Sequence, residues 1–110
     1  MIEMGRTRVL CTVSFVYSGD SGPGGGLPEL AGGCDALLCE ASLTGERVDS
    51  TYPYHLTAFE VGELAANAEA GRLIVTHIPP QGDAGEAVVE ARSRFEGSVE
   101  WARPGSVFDL

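Results

Sequence analysis

Three short apolar runs, each followed by a helix signal, constrain this chain more than any other feature. Val9 to Tyr17 (VLCTVSFVY), Cys34 to Ala41 (CDALLCEA) and Arg72 to Ile78 (RLIVTHI) combine aliphatic, β-branched and aromatic residues over strand-like lengths. Such runs suit strands rather than helices, and the first reads as a strand buried on both faces. Leu27 to Ala31, opened by Pro28 and closed by Gly32-Gly33, reads as a short helix. Thr57-Ala58-Phe59-Glu60 spells a capping box and predicts a helix over 58–70, stopped by Gly71. Asp83 and Glu86 repeat the cap chemistry for a helix over 84–96, ended by Gly97. Val99 to Ala102 and Ser106 to Leu110 read as two closing strands around Pro104-Gly105, and residues 1–8 give no clear element. The order β-α-β-α-β-α-β-β predicts an α/β sheet, largely parallel at first. With 110 residues there is room for one small domain.

Charge narrows the function classes. Acidic residues number 16 against 7 basic ones, a net charge of −9, and every cation is Arg. A surface of that sign repels a polyanion, so broad electrostatic binding of RNA or DNA is disfavoured. No apolar run reaches the length of a membrane span, and the first 18 residues do not read as a signal peptide. Cys11, Cys34 and Cys39 form no C-x-x-C, which suits a reducing, cytoplasmic setting and small buried apolar roles.

Familiar motifs fail in turn. A P-loop needs a lysine that the chain lacks, and the glycines at 19–26 do not satisfy G-x-G-x-x-G. The bland reading of that segment is a flexible turn. Gly19-Asp20-Ser21-Gly22 falls one residue short of a serine nucleophile elbow. What remains is two histidines and two acids. Asp20 follows the first apolar run, Glu40 ends the second, His77 ends the third, and His55 precedes the capping box. Each also fits a plain structural role: a turn aspartate, a strand-end charge, a core histidine, a surface loop histidine. Their joint placement is the signal, because ligands gather at the carboxyl ends of strands in open α/β sheets.

Four segments in order carry a resemblance. They are Tyr17-Ser18-Gly19-Asp20-Ser21-Gly22-Pro23, Leu37-Leu38-Cys39-Glu40-Ala41, His55-Leu56-Thr57-Ala58 and Val75-Thr76-His77-Ile78-Pro79-Pro80. Together they resemble the carboxyl-terminal half of the metallo-β-lactamase superfamily, in the branch of ribonuclease Z and cyclic-nucleotide phosphodiesterase-like hydrolases. The resemblance implies residues 15–110 as the carboxyl-terminal αβ half of an αββα sandwich, with residues 1–14 a poorly matching amino-terminal segment. It implies that Asp20 bridges two metal ions, that His77 is a ligand of the second, and that His55 is catalytic, facing the scissile phosphate as proton donor or charge stabiliser. Glu40 matches a frequent family acid and is not assigned as a ligand.

Zinc is the expected metal, two ions in a complete member, since a carboxylate can bridge and imidazole suits zinc. The family's H-x-H-x-D-H signature is absent from this sequence, and with it the first metal site. The expected function is therefore metal-dependent phosphodiester hydrolysis at family level, with this chain a fragment that is inactive alone. The expected substrate is a small phosphodiester, with RNA disfavoured by charge and no membrane partner. The expected assembly is a homo-oligomer or pairing with a missing amino-terminal half. The alternative is a non-catalytic remnant or interaction module that binds a partner through an uncovered sheet face.

Overall fold

A computed structural model describes residues 13–110, together with the strand backbones of residues 2–4 and 7–9. Strands β1 (Ile2–Met4) and β2 (Thr7–Val9) pair antiparallel with Glu3 opposite Arg8. The main sheet contains β3 (Phe15–Tyr17), β4 (Ala36–Glu40), β5 (Arg72–Thr76) and β6 (Ser98–Trp101), all parallel and in sequential order. Its crossovers hold α1 (Leu27–Ala31), α2 (Ala58–Asn67) and α3 (Ala84–Arg92).

Sequential order has a geometric consequence. Parallel crossovers are right-handed, and a sheet that never reverses direction collects all its helices on one face. Burial agrees: Val16, Leu37, Cys39, Leu73, Val75 and Val99 form one core with Val61, Ala65, Ala87, Ala91 and Phe95 from the helical side. Helices α2 and α3 touch so closely that a Cβ on Gly62 would stand 2.4 Å from the Ala91 carbonyl oxygen. Burial pushes the Cys39 thiol up to about 12, so it behaves as an inert core residue. Burial also raises the Cys34 thiol, which is free and buried.

The opposite face alternates outward through Phe15 and Tyr17, both exposed, then Leu38 and Ile74. Among the described residues the tail lies against it: a hollow there is lined by Phe15, Leu38, Ile74, Phe108 and Leu110. Arg72 ties that tail down, donating to the Asp109 carbonyl at 2.8 Å and lying 5.6 Å over the Phe108 ring.

Several sequence expectations need correction. The first strand is Phe15–Tyr17 with only Val16 buried, because it forms an edge of the sheet and its outer face is uncovered. Residues 10–12, including Cys11, lie outside the described residues, and Val9 belongs to β2. Residues 1–8 contribute β1 and most of β2, whose three-residue lengths carry too little alternation to read. Ser106 to Leu110 is not a strand; it lies along the sheet face, held by side-chain contacts rather than by a ladder. Helix α2 ends before Gly71, with Glu69 taking the left-handed conformation (φ 54°). Helix α3 stops at Arg92 rather than reaching Gly97, and Asp83 accepts from the Glu86 amide without a reciprocal bond.

Candidate metal centre

Asp20, Glu40 and His77 reach the same end of the sheet because β3, β4 and β5 run parallel in register. Tyr17 pairs with Leu38, and Glu40 pairs with Thr76, so the chain leaves β3 and β5 on either side of Glu40. His77, one residue beyond β5, sits in the left-handed region at φ 57°. A side chain other than glycine pays about 1–2 kcal/mol for that conformation, and such strain recurs at functional positions. Here it accompanies an imidazole turned toward Asp20, with His77 Nδ1 2.9 Å from Asp20 Oδ1.

His55 arrives by a different route. It ends the long loop between β4 and α2, and the Thr57–Glu60 capping box starts the helix two residues later. Ligand atoms of Asp20, His55 and His77 lie within 4.8 Å of one another. The imidazoles of His55 and His77 meet edge to face with centroids 5.4 Å apart. The cluster opens to solvent: the Asp20 side chain is 70% exposed and that of His77 50%. An adjoining hollow is lined by Ser42, Leu43, Ile78 and the Pro79-Pro80 pair.

Glu40 is the residue that sequence reasoning undervalued. It is fully buried and accepts from His55 Nδ1 at 2.9 Å, from the Ser21 amide at 2.8 Å and from Ser42 Oγ at 2.5 Å. Its own amide donates to Ser18 Oγ at 2.9 Å. Burial alone would raise its carboxyl, but the bonds from Ser42, His55 and Ser21 outweigh that and hold it below the usual range. Glu40 therefore fixes both the turn that presents Asp20 and the orientation of His55. The signal was available: an acid inside a strand between apolar neighbours is costly unless it is fully hydrogen-bonded.

Other groups brace the same loop. Arg47 donates to the His55 carbonyl at 2.6 Å and to the Tyr52 carbonyl at 3.1 Å, while its guanidinium pairs with Glu60 at 2.7 Å. Glu90 of α3, buried, accepts from the Gly45 amide at 2.5 Å. The Gly19–Ser21 turn spends its Ser21 amide on Glu40, so that donor is occupied within the fold.

A carboxylate and two imidazoles form a donor set that zinc accepts, and their convergence fits a divalent ion. With Nδ1 of His55 committed to Glu40, Nε2 is the ring nitrogen left free of that contact.

No protein-family model matches the chain. An uncharacterised protein of Mycobacterium leprae is 42% identical over 97 residues, 88% of this chain and 34% of that protein. The Bacillus subtilis protein named probable metallo-hydrolase YhfI is 31% identical over 96 residues, 87% of this chain and 39% of the relative. Ribonuclease Z of the same organism is 41% identical over 90 residues, 78% of this chain and 29% of the enzyme. The crystal structure of YhfI, described as a metallo-β-lactamase fold protein, superposes with a TM-score of 0.72 at 30% identity. It covers 80% of this chain and 36% of that one. The chain thus spans roughly a third of the length of the curated relatives it matches. Among the described residues, no helix is long and apolar enough to cross a membrane.

Proposed function

Because the chain belongs to the metallo-β-lactamase superfamily, we propose that it supplies part of a dinuclear zinc centre that hydrolyses small phosphodiesters. The observation that carries this reading is the convergence of Asp20, His55 and His77 within 4.8 Å from three separate segments of the chain. Asp20 would bridge the ions, and His77 would be a ligand of the second. Asp20 and His77 are too few for two zinc ions, which usually take three or four protein ligands each. The remaining ligands belong to an H-x-H-x-D-H cluster that this sequence does not contain. The relatives named ribonuclease Z favour a phosphodiester, and the net charge of −9 favours a small one over RNA.

A divalent cation held here would supply hydroxide near neutral pH and positive charge for the phosphoryl oxygens. The chain's own part is proton handling. Glu40 accepts the Nδ1 proton of His55, which fixes the ring's tautomer and orientation. When the ring also takes up a proton on Nε2, that nitrogen can deliver it to the departing oxygen. Ser42 and the Ser21 amide keep Glu40 anionic, so its charge stays available to His55 throughout.

Calorimetric zinc titration of the purified chain tests the assignment. Asp20→Ala and His77→Ala should each abolish binding, while His55→Ala should retain it. Unchanged zinc binding in either of the first two removes that residue from the centre. Loss of zinc in His55→Ala makes His55 a ligand instead of a proton donor.

A further inference from the structure

Two tyrosines stand beside this centre. Tyr52 and Tyr54 stand 53% and 69% exposed on the loop that carries His55. Tyr52 lies over the His55 ring, with centroids 5.2 Å apart and planes tilted by 33°. Tyr54 meets Tyr52 edge-on at 5.5 Å. With the His55–His77 contact, four rings form one continuous row leading outward from Asp20.

The backbone beneath the tyrosines is braced. Arg47 donates to the carbonyls of Tyr52 and His55, and Thr51 closes a turn onto Val48 at 2.9 Å. The loop tip presses on the turn that carries Asp20, so that a Cβ on Gly22 would stand 2.1 Å from the Pro53 carbonyl oxygen. Exposed aromatic rings on a fixed backbone lose little conformational entropy when a flat group stacks on them. Charge recognition on this loop is already committed, because the Arg47 guanidinium is paired with Glu60. The rings are what this loop offers to the organic portion of a substrate.

We propose that Tyr52, backed by Tyr54, is a stacking subsite that selects phosphodiesters bearing a planar aryl or heteroaryl group over alkyl ones. The subsite deepens the hydrolase reading and rests on it for the position of the scissile phosphate. The tyrosine rings contact substrate without touching the reacting atoms, so they set affinity and choice rather than chemistry.

Three probes separate the two claims: adenosine 5′-monophosphate, adenosine and ribose 5-phosphate, titrated into the zinc-loaded chain by calorimetry and NMR. The wild-type chain should bind the monophosphate more tightly than ribose 5-phosphate and should show shifted Tyr52 ring protons with adenosine. Tyr52→Ala should weaken the monophosphate on the order of ten- to a hundredfold, the range of a lost base–aromatic stack. It should leave ribose 5-phosphate unchanged, and Tyr52→Phe should restore monophosphate binding. Equal affinity of the wild type for monophosphate and ribose 5-phosphate overturns the subsite, as does an undiminished monophosphate affinity in Tyr52→Ala. Failure of the phosphate site reads out separately. If ribose 5-phosphate binding ignores both zinc and Asp20→Ala, the hydrolase reading falls, while adenosine still judges the tyrosines.

Discussion

Glu40 carries the largest consequences of any single residue. Its carboxylate is buried and satisfies three donors, one from each of the turn after β3, the residue two beyond it, and the loop before α2. Removing it leaves those donors facing a cavity. Glu40→Ala should therefore destabilise the fold by about 1–3 kcal/mol or more, the cost of stranding buried donors. Glu40→Gln keeps the volume and tests charge instead: stability should fall less, while the NMR signals of the His55 ring nitrogens should move because Nδ1 loses an anionic acceptor. Urea unfolding and nitrogen-15 spectra measure the two effects, and a His55 spectrum unmoved in Glu40→Gln would remove Glu40 from its positioning role. The placement of Asp20 and His77 at one end of the sheet is legible because each follows an apolar run, and the structure brings them to 2.9 Å. That Glu40 needs partners is legible from its apolar neighbours, but which partners is not, because sequence order does not reveal that Ser21, Ser42 and His55 converge on one carboxylate.

At the scale of elements, capping signals transferred almost intact. Thr57 and Glu60 form the reciprocal box that four residues of sequence announce, and α1 runs from Leu27 to Ala31 as Pro28 and Gly32 require. Strand length transferred less well, because a run of β-formers does not state how much of itself finds a ladder partner. Ser106 to Leu110 has strand composition but is held by Arg72 instead. The loop of residues 42–54 has no readable code in the sequence, since its brace is long-range: Glu60 holds Arg47, and Arg47 holds the carbonyls of Tyr52 and His55.

That brace has a pH signature. Burial would raise the Glu60 carboxyl, but hydrogen bonds from Arg47 and the Thr57 amide, with the Arg47 charge, hold it below the usual range. A carboxyl depressed by folding contributes stability above its unfolded value and loses it as pH falls through the folded one. Wild-type stability should thus decline from about pH 5 downward more steeply than that of Glu60→Gln, which has no such proton to take up. Urea midpoints measured from neutral to acid pH check this; parallel curves for the two proteins would refute it.

At the scale of the whole molecule, the four-stranded sheet is one-sided among the described residues. Right-handed crossovers through a sequential strand order put α1, α2 and α3 on one face, and the registers that align Phe15, Tyr17, Leu38 and Ile74 turn the other face toward the tail. Phe15 is 45% exposed and Tyr17 58%, and Val107 and Leu110 add further apolar surface along the tail. A clustered apolar face of this kind promotes association unless something covers it. The ligand deficit at the metal centre points the same way, since two zinc ions need more groups than Asp20 and His77 provide. The 110-residue chain should therefore self-associate with rising concentration, and sedimentation velocity should show it. Phe15→Glu combined with Tyr17→Glu should shift the chain toward monomer, because both side chains leave the helix-facing core untouched. A wild-type chain that stays monomeric across the concentration range and binds no hydrophobic dye would mean that the tail covers the face by itself.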